Sequence, residues 1–199
     1  MPLSTDFATD FAVAYPPEAP RNRVDPVKRA ALSDLLPSGI VAAYSEYGTG
    51  KHRGGMFELV DPERYLPTYA AFFGGDSAGR IPFLVNAFGE PVAYKPVGPR
   101  ESEFSILHTY GPRLEILAYD LGDFLDRVLT TDDGLRQVLN VPLFERLRTR
   151  LGRLRPAQSY GFDPGVLATE PAGTKADAGH FEVVDTLEHM SLLLRRAEQ

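Results

Sequence analysis

The chain has 199 residues, a net charge of −6 and no cysteine. Disulfides and thiolate metal sites are excluded, and a general nucleic-acid binder is a poor fit, because phosphate contacts need a basic footprint. A chain of this length buries roughly 70% of its unfolded surface, so it needs no staples and suits one domain or two small ones packed together.

Residues 7–13 read as a short strand or helical turn, followed by an extended arm rich in proline (Pro16, Pro17, Pro20) up to Val24. Asp25-Pro26 starts a helix, with Asp as N-cap and Pro at N1, and Val27, Ala30, Ala31 and Leu35 form its apolar stripe. Pro37 ends it and opens a second helix through Ile40, Val41 and Tyr44, closed by Gly48. Gly48–Gly55 invites a phosphate-loop reading. It fails in detail: Ser45 stands where the motif's first glycine belongs, His52 stands where the magnesium-binding hydroxyl belongs, and the segment precedes a strand. A flexible loop into a strand at Met56–Val60 is the simpler expectation. Asp61-Pro62 starts the next helix, with Pro67 expected to break its first turn before Thr68. Tyr65, Leu66, Tyr69, Phe72 and Phe73 form an aromatic face suited to a core.

Ile81–Tyr119 is the stretch around which the rest is organised. Phe104, Ile106, His108 and Tyr110 alternate with Glu103, Ser105, Leu107 and Thr109, as on a half-buried strand. Leu114, Ile116 and Ala118 repeat the pattern after Gly111-Pro112, a pair that suits a two-residue hairpin. Gly89-Glu90 sits between two more strand-like runs. The sum is an antiparallel meander of about four strands. Asp120 then caps a helix with Leu121, Phe124, Leu125, Val128 and Leu129 inside, and a Thr-Thr-Asp-Asp-Gly turn follows. Pro142 suits N1 of a helix whose stripe is Leu143, Leu147, Leu151 and Leu154. Arg146, Arg150 and Arg153 lie away from that stripe, as a solvated or phosphate-binding face. A shaped loop at 156–170 enters a short strand, Phe181–Val184 is another, and Asp185 with Glu188 makes a capping box for a helix burying Leu187, Met190 and Leu194. The fold class is α+β, an antiparallel β-meander sheet packed with flanking α-helices.

Chemistry is sparse. His52, His108, His180 and His189 have no metal-ligand spacing, and His108 reads as a satisfied core histidine. Asp120, Asp123 and Asp126 read as a cap and a solvated face. No nucleophile elbow is present. No catalytic residue, metal or cofactor is assigned, and an enzyme is the minority reading. No apolar run approaches the ~18 residues of a membrane span. The first ten residues hold Asp6 and Asp10 and no basic side chain, unlike a secretory leader, so the cytoplasm is expected.

Three segments together resemble a bacterial immunity family. Gly54-Gly-Met-Phe-Glu-Leu-Val-Asp-Pro-Glu-Arg-Tyr65 is similar to its GAD-like module. Ile81-Pro-Phe-Leu-Val-Asn-Ala-Phe-Gly89 is similar to that module's strand. Ser159-Tyr-Gly-Phe-Asp-Pro164, with the strand and helix that follow, resembles the accompanying C-terminal module. The resemblance implies an arm at 1–24, a GAD-like module at 25–119 and a C-terminal module at 120–199, or one continuous domain. It also implies an antitoxin of the type VI secretion system that neutralises a cognate effector, such as a DNase, by stoichiometric occlusion. The alternative is a small nucleotide-binding regulator or enzyme built on Gly48–Gly55.

An inhibitor of a nuclease meets an electropositive cleft. Glu145–Arg155 carries five arginines and one glutamate, which leaves −10 for the remainder, and such a surface steers onto a basic partner. The expected contacts are the loop acids Asp76, Glu101, Asp132, Asp133 and Glu170, with Tyr160 and Phe162 as an aromatic alternative.

Overall fold

The computed structural model describes residues 7–98, 101–162 and 178–197. Its frame is a sheet of β1 (Gly50–His52), β2 (Phe57–Leu59), β3 (Ile81–Asn86), β4 (Pro91–Pro96), β5 (Ser102–His108) and β6 (Arg113–Ala118). These strands pair in sequence order, each pair antiparallel, so the expected four-strand meander is extended by two. A separate ladder joins β7 (Gln158–Phe162) to β8 (Phe181–Asp185).

Helices cover both faces of the large sheet. They are α1 (Phe7–Ala14), α2 (Pro26–Ser33), α3 (Ser38–Tyr47), α4 (Pro62–Ala71), α6 (Asp132–Val138), α7 (Val141–Leu151) and α8 (Thr186–Ala197). Between them, α5 opens as one α-helical turn at Leu121–Asp123 and runs on as a π-helix at Phe124–Leu129. The main core lies on one face, where Phe57, Leu84, Val92, Phe104 and Ile106 meet Phe11, Ile40, Phe124 and Phe144. On the other face Tyr69 of α4 packs on Ala93 and Leu107, and Tyr65 packs on Val85 with Met190 of α8. The sheet is an α+β frame with helical layers on both sides.

That second layer corrects the half-buried reading of β5. Ser105 is fully buried and Glu103 is 7% exposed. Glu103 is held by Arg80 Nε at 2.7 Å, so a charge in the strand marks an ion pair and not a solvent face. The caps follow the sequence: Asp25 accepts from Lys28 N at 2.9 Å, Asp120 from Asp123 N at 2.7 Å, and Asp185 from Glu188 N at 3.1 Å.

Other expectations change. Residues 7–14 form a helix that buries Phe7 and Phe11, so they belong to the main core. In α2 the inward residue is Leu32, followed by Leu36, while Val27 is 81% exposed and Leu35 48% exposed. Leu32 and Leu36 stand one turn apart, as do Lys28 and Leu32, so the buried row is rotated from the expected one. Helix α4 runs unbroken through Pro67, an exposed residue, so the carbonyl it leaves without an N–H faces water. The Thr-Thr-Asp-Asp-Gly turn is the start of α6, where the Thr131 hydroxyl accepts from Gly134 N at 3.0 Å. The β5–β6 turn has four residues, Thr109–Pro112, with His108 opposite Arg113. In β6 the register shifts so that Leu117 is the extra residue. The bulge turns Ala118 inward and leaves Ile116 45% exposed opposite Ser105.

Residues 48–55 form an ordered strand and a 3₁₀ turn, Arg53–Gly55, where a flexible loop was expected. The arm lies against them. Arg53 N donates to Pro16 O at 2.8 Å and Glu18 N to Lys51 O at 2.9 Å. Asn22 and Thr49 exchange backbone bonds at 3.0 and 2.9 Å. Gly48, at φ 72°, is glycine because a Cβ there would stand 2.2 Å from the Asn22 carbonyl oxygen. The glycines that mimic a phosphate loop therefore admit the protein's own chain.

Candidate partner-binding face

Ile81, Tyr94, Phe104 and Ala118 form one rung of the sheet. At that rung β3 and β5 begin while β4 and β6 end, so the connections beyond it share one end of the molecule. Asp76 sits in the connection before β3, with its Oδ1 accepting from Ala78 N at 2.8 Å, and Glu101 sits just before β5. Three interstrand steps, roughly 14 Å, separate β3 from β6. Ser102 N and Ser102 Oγ both donate to Tyr119 O, at 3.1 and 3.3 Å, which holds Glu101 beside Tyr119. A groove of about 380 Å³ between the end of β6 and α5–α6 is lined by Leu117, Tyr119, Asp123, Arg127, Asp133 and Gln137. Asp132 precedes Asp133 at the exposed start of α6. The structure therefore puts Asp133 in one groove with Tyr119, with Asp132 next to it in the chain, sets Glu101 beside the Ser102 that bonds Tyr119, and puts Asp76 farther along the same end.

This end is acidic and partly apolar. Between Tyr119 and Gln137 there are five aspartates and two arginines, a local −3. Arg127 reaches Asp123 at 3.4 Å and Arg136 reaches Asp133 at 3.1 Å. Both pairs are largely exposed, and such pairs contribute ~0–1 kcal/mol, so each aspartate is free to exchange its partner. Tyr119 is 65% exposed and Ile116 is 45% exposed.

The two edges of the sheet differ. The arm covers β1 through Pro17 opposite His52 and Asn22 opposite Thr49. Among the described residues β6 pairs with β5 alone. An uncovered edge presents unpaired backbone donors and acceptors to another chain. Sequence reasoning missed this edge, although the signal was there: the last strand of a meander is an edge unless something covers it.

The remaining sequence-picked residues lie elsewhere. Tyr160 is fully buried, its hydroxyl donating to Gly152 O at 2.6 Å, and Phe162 packs 5.0 Å from Phe181. Both belong to the core, because β8 and α7 close over β7, and they offer no surface patch. Glu170 lies outside the described residues. Lys51, the lysine of the phosphate-loop reading, is buried against Glu58 at 2.7 Å and donates to Gln158 O at 2.6 Å. Burial lowers its pKa, opposed by the Glu58 carboxylate.

His108 is held between carboxylates and is not sealed in the core. Its Nδ1 lies 3.0 Å from Glu90 and its Nε2 3.4 Å from Glu115, with 22% of the side chain exposed. The hydrogen bond with Glu90 raises its pKa against the opposing effect of burial. His52 and His189 are shifted the other way by burial. Among the described residues no helix is long and apolar enough to cross a membrane.

No family model matches the chain, and no curated protein matches it. Among solved structures it is similar to Atu4351 from Agrobacterium tumefaciens, at 16% identity and a TM-score of 0.68 over 94% of this chain and 87% of that one. At this identity the likeness concerns the fold alone.

Proposed function

We propose that the protein is a bacterial immunity protein that binds a cognate secreted toxin and neutralises it by stoichiometric occlusion, with no turnover of its own. The observation that carries this reading is the acidic end of the sheet, where Asp123 and Asp133 share a groove with the exposed Tyr119, Glu101 and Asp132 adjoin it in the chain, and β6 pairs with no further strand among the described residues. Acids steer the protein onto a basic cleft, and Tyr119 and Ile116 supply apolar contact once it arrives. A type VI secretion effector with nuclease activity is the partner this charge fits, and the cytoplasm is where it would be met. The competing nucleotide-loop reading lacks its cation, because Lys51 is already engaged by Glu58.

The test is protection. Cells expressing the toxin encoded beside this gene should grow when the parent protein is co-expressed. Tyr119→Ala combined with Asp133→Lys, two exposed positions, should lose protection while the protein stays folded. A parent that leaves killing unchanged, or a neighbourhood without a toxin gene, contradicts the proposal.

A further inference from the structure

The N-terminal arm and the start of α2 carry the opposite charge to the molecule as a whole. Arg21, Arg23, Lys28 and Arg29 face Asp25 alone within residues 21–29, a local +3 in a chain of −6. Arg21 and Arg23 flank Asn22, whose backbone is fixed to Thr49, and residues two apart on an extended segment point to the same side. Both line a cleft of about 770 Å³ between the arm and α2–α3, and Arg29 lines it from α2. The acids of this cleft are engaged: Asp25 accepts from Lys28 N at 2.9 Å, and Glu46 accepts from the Tyr47 hydroxyl at 2.9 Å. Arg21, Arg23 and Arg29 make no ion pair among the described residues.

We propose that this cleft binds a small oligophosphate, a molecule with two or more linked phosphates such as pyrophosphate or a nucleoside diphosphate. Three guanidiniums outnumber the two carboxylates of the lining, Asp25 and Glu46, so the cleft keeps a positive charge and an anion relieves the repulsion among its arginines. The guanidinium fork matches phosphate oxygens two at a time. The volume lies within the roughly 300–1,000 Å³ of small-molecule sites. The arm is fixed to residues 49–53 by its backbone bonds and runs directly into α2, so the site exists before the ligand arrives. It sits by the covered β1 edge, away from the acidic end, and does not depend on the toxin reading.

Calorimetric titration of the full chain with pyrophosphate, ADP and citrate at low salt tests it. Pyrophosphate and ADP should bind saturably at one to one, and more tightly than citrate. Arg21→Gln with Arg29→Gln should weaken that binding at least tenfold with an unchanged melting curve. Arg146→Gln, an exposed arginine on α7, should leave it unaltered. Absence of saturable binding overturns the proposal, as does equal weakening by Arg146→Gln. Binding of long RNA without binding of pyrophosphate also overturns it, and so does citrate matching pyrophosphate.

Discussion

Glu58→Ala is expected to destabilise the fold by about 3–5 kcal/mol, measured by denaturant unfolding, because it strands a buried ammonium. The Lys51 and Glu58 side chains are 3% and 7% exposed and meet at 2.7 Å. Glu58 also accepts from Ala157 N at 2.9 and 3.1 Å, tying the start of β7 to β2. The pH dependence has a definite sign. The folded-state pKa of Lys51 is lowered, and loss of Glu58 lowers it further. The unfolded chain, with lysine near 10.4, then holds a proton that the folded chain gives up more readily. Stability of the variant should therefore rise with pH up to the unfolded value and be lost as pH falls through the folded one. Removing both charges with Lys51→Met and Glu58→Leu should recover part of the loss, though Ala157 N and Gln158 O lose their partners. A loss below ~1 kcal/mol for Glu58→Ala would mean that water reaches Lys51 and that the pair behaves as a surface one.

Gly48→Val should cost roughly 2–5 kcal/mol, from about 1–2 for a left-handed backbone and about 1–3 for overpacking. The added Cβ would stand 2.2 Å from the Asn22 carbonyl oxygen, and a backbone atom cannot swing aside as a side-chain tip can. The arm should lift, and the amides of Asn22 and Thr49 should exchange faster. Gly74→Ala separates the two causes. It has φ 75° but nothing within 4 Å, so it should show the backbone part alone. Equal losses at both positions would show that the arm does not press on residue 48.

Period-two runs and caps made the meander and most helix starts legible. Asp25, Asp61, Asp120 and Asp185 each accept an amide from the turn they open. What stayed hidden was tertiary. Nothing local says that α4 and α8 cover the second face of the sheet, so Glu103 and Ser105 looked solvated. The bulge at Leu117 reverses the phase of β6, so Ile116 looked buried and is exposed. Gly50-Lys51 looked like a phosphate loop because an approach of the arm and an approach of a ligand both call for glycine. The acids Asp132 and Asp133 were picked as loop residues and prove to lie in the first turn of α6, which Thr131 caps. Their nearness to Tyr119 depends on how α5 and α6 fold back against β6, which no spacing encodes. Tyr160 and Phe162 were read as candidate contacts because Gly161, Pro164 and Gly165 suggested a shaped loop, and the same residues also suit a short buried strand.

Hydrogen exchange of the full chain with and without its toxin tests the central claim most directly. Occlusion through the acidic end predicts at least tenfold slower exchange at the free amides of Arg113–Ala118 and across Tyr119–Asp123. Protection confined to other surfaces, such as the arginine face of α7, with exchange in β6 unchanged, would contradict it.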